Sequence, residues 1–213
     1  MQGREERLMM AKTVWRGGNM LYPVPAVMVS TADRAGRSNI ITVAWTGTVC
    51  SNPPMVSISV MPRRFSHALL CDSREFVINL TSRKLQYACD WCGVRSGADV
   101  DKWQEMKLTP EPAATLSYAP LIAESPVNLE CKVTKIEKLG SHDLFLAEIT
   151  AVQVDDALLD TSGKLDLARA DLTAYSHGEY YALGEKLGTF GYSVRKEKNV
   201  RSAKSQRSGR RSK

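Results

Sequence analysis

The 213 residues suffice for one domain with a full core, and 43% hydrophobic with 24% charged residues is typical of a soluble globular protein. No apolar stretch approaches the roughly 18 residues needed to span a bilayer. The first 12 residues are charged and lack the apolar core of a secretory signal. These features argue against a membrane-spanning or secreted protein and predict a cytoplasmic one.

The net charge of +6 is concentrated at the carboxyl end. Residues 195–213 contain nine Lys or Arg and one Glu, so the other residues carry a net charge of −2. A nucleic-acid-binding domain is expected to carry its basic patch on the fold, and this Lys/Arg/Ser/Gly-rich segment is too polar to fold alone. We therefore predict a flexible extension at residues 1–12, one folded domain at 13–193 and a disordered basic tail at 194–213, with nucleic acid disfavoured as a partner.

Alternation of apolar and polar residues with a period of two dominates the folded part. It begins with a short apolar strand at residues 26–30, and a second strand at 39–45 follows the turn residues around Gly36. The small, hydroxyl-bearing residues 46–48 predict a turn after this second strand. The same alternation predicts further strands at residues 55–61, 75–81, 127–136 and 143–154.

Three short helical segments interrupt the strands. Residues 66–71 fit one or two turns, residues 82–91 are amphipathic with Ser82 as the N-cap, and residues 99–106 have Asp99 as the cap. Six or more short strands broken by small helices predict a mainly β fold of the barrel type. No Gly-x-Gly-x-x-Gly follows a strand, which argues against a Rossmann dinucleotide-binding unit.

The five cysteines are expected to be reduced thiols that act mostly as small buried hydrophobes. Their number is odd, and their spacing is not that of a disulfide framework. Cys89 and Cys92 form the one close pair. A zinc site would need a second Cys/His pair and a thioredoxin-type site would need a βαβ setting, and the sequence supplies neither.

The segment at residues 62–67 suits the phosphate end of a ligand. It reads Pro-Arg-Arg-Phe-Ser-His and joins an alternating strand to a short helix. Guanidinium groups, a serine hydroxyl and free amides at a helix N-terminus are groups that bind phosphate. Taken alone, two neighbouring arginines also fit a solvated turn, and His67 also fits a packed helix residue.

Polar residues in later segments add to this pattern. Asn79 lies inside an apolar strand and must find partners if it is buried. Ser96 and Gly97 form an amide-rich loop to which Lys102 adds positive charge, and His142 stands at a turn before a strand. No Gly-x-Ser-x-Gly and no paired carboxylates at general acid–base spacing occur. The sequence therefore suits a protein that takes its chemistry from a bound cofactor rather than a hydrolase.

Taken in order, these segments resemble the flavin reductase-like family, in particular its flavoredoxin-like branch. The resemblance covers roughly residues 23–191, and it is specific because many weak motifs occur in the right order and spacing. The matching motifs are Tyr-Pro-Val-Pro at 22–25, Asn-Ile-Ile-Thr-Val-Ala-Trp at 39–45, Ser-Asn-Pro-Pro at 51–54, Pro-Arg-Arg-Phe-Ser-His at 62–67, Glu-Phe-Val-Ile-Asn at 75–79, Cys-Gly-Val-Arg-Ser-Gly at 92–97, Asp-Lys-Trp at 101–103, Glu-Cys at 130–131, and His142 with its following strand.

The resemblance implies an FMN-binding split β-barrel that forms a homodimer with its flavin sites near the subunit interface. It places residues 39–47 along the isoalloxazine ring and ribityl chain, and Arg64, Ser66 and His67 toward the phosphate. The cofactor-binding residues that it implies are Asn39, Ile40, Ile41, Thr42, Ala44, Trp45, Thr46, Gly47, Ser59, Arg64, Phe65, Ser66, His67, Asn79, Leu80, Thr81, Ser96, Gly97 and Lys102.

The resemblance also implies that electrons pass through the bound FMN, and it leaves the donor open. His142 is implied as the catalytic residue because related reductases carry a Gly-Asp-His turn near the nicotinamide at this place. Here the turn reads Gly-Ser-His, and Ala147 replaces a later family-typical glycine. The favoured activity is an NADH- or NADPH-dependent reductase, and the rival is a flavoredoxin-type electron carrier without a nucleotide substrate. A nucleic-acid-binding module that uses the basic tail is a minor alternative.

Overall fold

The structure is a computed structural model that describes residues 12–194. The chain divides into two compact units between Leu183 and Gly184. In the second unit the described residues include one turn of 3-10 helix, Tyr192–Val194. Almost all of the predicted extension at 1–12 and of the predicted basic tail at 194–213 lies outside the described residues. None of the helices within residues 12–194 has the length and apolar character needed to cross a membrane.

The first unit is mainly β with short helices, as the sequence predicts. The helices are α1 (Phe65–Ser73), α2 (Gln86–Val94) and α3 (Lys102–Met106), with single 3-10 turns at Arg83–Leu85, Asp156–Leu158 and Leu167–Ala170. The strands are β1 (Val24–Pro25), β2 (Val27–Ala32), β3 (Ser38–Val43), β4 (Thr46–Ser51), β5 (Pro54–Val60), β6 (Glu75–Leu80), β7 (Pro110–Glu111), β8 (Leu121–Ile122), β9 (Val127–Lys138), β10 (Asp143–Val154), β11 (Thr173–Ser176) and β12 (Glu179–Ala182).

Seven strands form one antiparallel sheet in the order β3-β2-β6-β9-β10-β5-β4. The strands at the two edges, β3 and β4, follow each other in the chain through Ala44 and Trp45. The Ser59 amide on β5 donates to the Trp45 carbonyl oxygen at 3.0 Å, which extends the pairing of β4 with β5 up to the short link from β3. Residues of β3 and β5 pack in the same interior cluster, so the sheet curves into a barrel. Strands β1, β11 and β12 form a separate smaller sheet, in the order β1-β11-β12.

The period-two alternation places one face of each strand inside the barrel. On β2, Val27 and Val29 join the interior cluster, while Met28 joins a second cluster formed with α2 and α3. All six residues of β2 are buried because both faces of this strand are covered. Cys89 and Cys92 on α2 are free, buried thiols in the second cluster, as the sequence predicts.

Two local predictions are wrong and a third is only partly right. Residues 46–48 do not form a turn but begin β4, because these Thr-rich residues pair with β5. Asp101, not Asp99, caps α3: its Oδ1 accepts hydrogen bonds from the amides of Trp103 and Gln104. Ser82 does occupy the predicted N-cap position, but of the 3-10 turn that runs into α2, and its side chain makes no cap bond.

Two buried carboxylates fix the loop that follows β7. Glu130 on β9 is fully buried, and its two oxygens accept hydrogen bonds from the Ala114 amide at 2.9 Å, the Thr115 amide at 2.7 Å and the Thr115 hydroxyl at 2.6 Å. The Gln153 side-chain amide donates a further bond at 2.7 Å. Glu75 on β6 accepts from the amides of the next residues of the loop. Buried charge is thus matched by donors rather than by a cation.

Candidate functional site

Two adjoining cavities form a cleft between the barrel and α2. The first, which we call the large cavity, has a volume of about 430 Å³, and the second, the basic cavity, has a volume of about 300 Å³. Ile41 on β3 and Arg64 at the start of α1 line both of them. One elongated ligand could therefore occupy the two cavities together.

The basic cavity is lined by four cationic side chains and no carboxylate. The four are Arg63, Arg64, Arg95 and Lys102. Arg64 is the residue before α1, and its Nη1 donates to the Gly93 carbonyl oxygen at 3.3 Å. Guanidinium and ammonium groups that converge without an acidic partner favour a multiply charged anion, and phosphate accepts their hydrogen bonds well.

Lys102 is held in place at the back of the basic cavity. Its side chain is buried, and its Nζ donates to the carbonyl oxygens of Ile40 and Cys92, both at 2.7 Å. An ammonium group has three donors, so one N–H is left for a ligand. Burial, together with the nearby charge of Arg64, lowers the pKa of Lys102 to about 8. The group is therefore cationic at neutral pH and close to its titration range.

Asn39, Ser66 and Gly97 form a tight wall of the same cavity. The Asn39 side-chain amide donates to the Ser66 hydroxyl oxygen at 2.8 Å, and both residues are buried. A Cβ on Gly97 would lie only 2.2 Å from Asn39 Oδ1. Only glycine allows this approach, so Gly97 lets the loop pack directly against the side chain of Asn39.

The large cavity is more apolar and carries aromatic side chains. Strand β3 and its end contribute Ile41 and Ala44, and α2 contributes Gly93. The Trp45 ring packs at a tilt against the ring of His142, with centroids 4.6 Å apart and an interplanar angle of 44°. Aromatic and aliphatic side chains line this cavity together with polar ones such as Thr42, Ser59 and Asp90, a combination that suits a planar ring system with polar edges.

Three tyrosines complete the large cavity, two from the small sheet and Tyr22 from the segment before β1. Tyr22, Tyr175 and Tyr180 line it, and the rings of Tyr175 and Tyr180 lie 5.3 Å apart. The Tyr180 hydroxyl donates to Asp90 Oδ1 at 3.0 Å. Burial and this hydrogen bond raise the pKa of Tyr180, so its hydroxyl stays neutral. The hairpin of β11 and β12 therefore contributes to the cleft although it is distant in sequence from the other residues that line it.

Most of the sequence-predicted site residues come together in this region. A third cavity of about 440 Å³ adjoins the large one through Tyr22, Ala44, Trp45 and Ser59. Predicted residues line the large cavity (Ile41, Thr42, Ala44, Trp45, Ser59, Arg64 and His142), the basic cavity (Asn39, Ile41, Arg64, Phe65, Ser66, Ser96, Gly97 and Lys102) and the third cavity (Thr46 and Gly47).

Five predicted residues lie outside all three cavities. His67 instead pairs with Asp143, with His67 Nε2 2.8 Å from Asp143 Oδ2. Asn79 is buried and ties β6 to Met28, Ser30, Ile122 and Asn128 by hydrogen bonds. The other three residues that face away are Ile40, which packs in the second core cluster, and Leu80 and Thr81 at the end of β6.

Several lining residues were not among those predicted from the sequence. Arg63 and Arg95 lie directly beside the predicted residues Arg64 and Ser96, so the positive charge of these two segments already indicates that they belong to an anion-binding site. Asp90 and Gly93 face the cleft because α2 runs along it. The remaining ones include Tyr22 and Val43, which lie within motifs of the family resemblance, and Tyr175, Gly178 and Tyr180 of the β11–β12 hairpin, where the local sequence carries no sign of a site.

The chain belongs to the flavin reductase-like family. The profile described as flavin reductase like domain matches residues 19–184, which includes every element of the cleft. The solved structures that resemble this fold include flavin reductase-like split-barrel proteins, which confirms the predicted split β-barrel.

Three similar proteins illustrate the range of the family. Flavoredoxin of Desulfovibrio vulgaris (Miyazaki F) is 30% identical, with a TM-score of 0.80 over 87% of this chain and 100% of that chain. The FMN-binding protein from Thermus thermophilus with bound 1-cyclohex-2-enone is 25% identical, with a TM-score of 0.70 over 89% of this chain and 99% of the other. FMN reductase (NADH) RutF of Pantoea ananatis is 28% identical over 142 residues, 62% of this chain and 66% of that protein.

Proposed function

We propose that this protein binds FMN in the cleft and acts as an oxidoreductase that passes electrons through it. The observation that carries the proposal is the join between the large and basic cavities at Arg64. FMN has a planar ring system at one end and a phosphate at the other, so it requires an apolar aromatic cavity continuous with a cationic one. Similarity to flavoredoxin and to an FMN-binding protein supports this choice of ligand.

The residues of the cleft fit the two ends of FMN. Arg64, Lys102 and Ser66 would hold the phosphate with charge-assisted hydrogen bonds, and the close approach of Gly97 to Asn39 keeps that end compact. The tyrosines and Trp45 would hold the ring and exclude water from one side of it. The bound flavin would supply the redox chemistry, since it can accept a hydride or single electrons, and the protein would orient it.

We further propose that the electron donor is NADH or NADPH, with His142 at the nucleotide. His142 lines the large cavity, and its ring is held by Trp45 and by a 2.9 Å contact between His142 Nδ1 and the Ser141 hydroxyl. The similarity to an FMN reductase (NADH) supports this donor. The similarity to flavoredoxin favours the rival, an electron carrier without a nucleotide substrate.

One anaerobic experiment tests both levels of the proposal. Apo protein titrated with FMN should quench the flavin fluorescence to saturation near one FMN per chain, and failure to saturate would remove the basis of the proposal. The loaded protein is then mixed with NADH or NADPH without oxygen. Loss of the yellow absorbance is the expected result, and it should be slower in His142→Gln at unchanged FMN affinity. FMN binding without bleaching by either nucleotide would instead support the electron carrier.

We also propose a cytoplasmic homodimer. The chain from residue 14 to 21 exposes large apolar side chains, among them Trp15 and Leu21, of which 73% and 86% of the surface is accessible. Val49 on the edge strand β4 is also exposed, and the same strand contributes Thr46 and Gly47 to the third cavity. Apolar surface of this kind is typical of a subunit interface, and an interface here would place the partner near Trp45 and the large cavity.

The pKa of Lys102 predicts how FMN binding depends on pH. Lys102 is protonated at neutral pH and loses its proton as the pH rises through about 8. Because phosphate favours the protonated form, the FMN dissociation constant should be constant just above pH 7 and then rise by up to about tenfold per pH unit above the pKa. Fluorescence titrations with FMN and with riboflavin, which lacks the phosphate, measure the effect.

The matched variants for this measurement are Lys102→Met and Lys84→Met. Lys84 is exposed in the 3-10 turn before α2 and lines none of the cavities described above, so its variant should keep the pH profile of the wild type. Lys102→Met should bind FMN more weakly and lose the rise above pH 8. A profile for riboflavin that matches that of FMN would show that the titrating group does not act on the phosphate.

A further inference from the structure

A cysteine, a histidine and an aspartate form a connected group outside the cleft. Cys71 and His67 lie one turn apart on α1, with Cys71 Sγ 3.7 Å from His67 Nδ1. The other ring nitrogen, His67 Nε2, is 2.8 Å from Asp143 Oδ2 at the start of β10. Cys71 is exposed, whereas the side chains of His67 and Asp143 are only 14% and 8% accessible.

The geometry of this group is that of a nucleophile, a base and an orienting carboxylate. Because a carboxylate only accepts hydrogen bonds, Asp143 favours the His67 tautomer with a proton on Nε2 and a lone pair on Nδ1. The ring of Phe145 packs edge-on against the His67 ring, with centroids 5.5 Å apart, and limits its rotation. The Nδ1 lone pair is therefore held toward the Cys71 thiol, which is the arrangement that activates a weak nucleophile.

We propose that Cys71 is a reactive thiol that forms mixed disulfides with small anionic disulfides, with His67 as its base and Asp143 as a positioning residue. The anionic class follows from the nearby cations. Arg74 and Lys138 are close enough to Cys71 to act on its charge, although Asp143 opposes them. Both cationic residues are exposed and so are free to meet an approaching anion.

The reaction needs no oxidant other than the disulfide itself. His67 Nδ1 takes the proton of the Cys71 thiol, and the sulfur attacks one sulfur atom of the disulfide. A new sulfur–sulfur bond forms while the old one breaks, and the leaving thiolate takes the proton from His67. The products are the mixed disulfide on Cys71 and one free thiol.

A base matters here because the resting thiol is protonated. Although the residue as a whole is exposed, partial burial of the sulfur, followed by the charge of Asp143, raises the pKa of Cys71 above its usual value. The fraction present as thiolate at neutral pH is therefore small, and the reaction rate depends on proton removal by His67. An isolated exposed thiol at the same place would react more slowly than an ordinary free cysteine.

The test is the rate at which folded protein reacts with the dianionic disulfide 5,5′-dithiobis(2-nitrobenzoate), followed by release of the coloured thiol. Wild type should show a fast phase that is absent from Cys71→Ser. The rate of that phase should fall by about tenfold or more in His67→Gln, a modest part of what a positioned base contributes. Asp143→Asn should slow it as well, because the amide no longer fixes the tautomer.

Two internal comparisons separate this result from a change in the fold. Cys50 on β4 is partly exposed, and its slower phase should have the same rate in wild type and His67→Gln. Loosening of α1 would expose thiols and raise rates, so a selective fall at Cys71 reports the base. With oxidised glutathione as the probe, intact-mass measurement should find one adduct, located on Cys71. Equal Cys71 rates in wild type, His67→Gln and Asp143→Asn would overturn the proposal.

Discussion

Glu130→Gln is expected to lower the free energy of unfolding by about 2–4 kcal/mol, the largest effect on stability that we predict. The carboxylate of Glu130 accepts four hydrogen bonds inside the protein, from Ala114, Thr115 and Gln153. A glutamine keeps the size but turns an NH₂ group toward donors, and each bond to a charged acceptor contributes about 1.5–3 kcal/mol. For a chain of this length the melting temperature should fall by about 5–15 °C.

The same variant should change the dependence of stability on pH. Burial raises the pKa of Glu130, but the hydrogen bonds from Thr115, Gln153 and the loop amides together outweigh it and hold the pKa below the usual 4.5. A carboxyl group with a depressed pKa stabilises the fold above its unfolded-state pKa and loses that contribution as the pH falls through the folded-state pKa. The difference in stability between wild type and Glu130→Gln should therefore be constant above about pH 5 and shrink in more acidic solution.

The matched control is Glu148→Gln, which makes the same chemical change at an exposed position on β10. Its melting temperature should stay close to that of the wild type, because exposed substitutions away from such bonds change stability by about 0.5 kcal/mol or less. Thermal unfolding followed by circular dichroism, from neutral pH downward, gives all three curves. Equal melting temperatures for the two variants would show that the Glu130 bonds do not stabilise the loop at residues 112–118.

The sequence predicts the barrel well because apolar side chains recur along its strands. Alternation identifies β3, β5, β6, β9 and β10, and an apolar run identifies β2, which is buried on both faces; apolar residues of all six strands fill the interior. Alternation fails at β4, where Thr46–Ser51 lies at the sheet edge and has no apolar face to produce the pattern. The hairpin of β11 and β12 is also missed, since its residues are only partly buried and its pairing partner β1 is more than a hundred residues away.

The sequence predicts the site best where the side chains of nearby residues point into the same cavity. Arg64, Ser66 and Gly97 line the basic cavity as expected. The family resemblance places His67 with Ser66 at the phosphate, but successive residues of a helix point about 100° apart, so Ser66 faces the cleft and His67 faces β10. For Asn79 the sequence does not say which partner it has. A buried polar residue in an apolar strand needs hydrogen-bond partners, which could belong to a ligand or to the protein, and here the protein supplies them.

Arg64→Ala is expected to weaken FMN binding by about 1.5–3 kcal/mol, or roughly ten- to a hundredfold, while riboflavin binding changes little. Arg64 is the side chain shared by the large and basic cavities, and riboflavin lacks the phosphate that a guanidinium would hold. The Arg64 side chain makes no cap bond to α1, so its loss should leave the helix intact. Because Arg64 is exposed, the effect on FMN should shrink at high salt.

Fluorescence titrations of wild type, Arg64→Ala and Arg83→Ala with both flavins decide where the phosphate lies. Arg83 is also an exposed arginine, but it pairs with Asp171 at 2.8 Å and lines none of the cavities described above, so Arg83→Ala controls for the loss of one positive charge. Only Arg64→Ala should separate FMN from riboflavin. If Arg64→Ala lost equal affinity for FMN and riboflavin, Arg64 would contribute to binding of the ring rather than of the phosphate. If Arg64→Ala and Arg83→Ala lost equal affinity for FMN, the contribution of Arg64 would be only the long-range effect of its charge. A selective loss means that the phosphate lies in the basic cavity, where Lys102, Ser66 and the Gly97 loop remain to hold it.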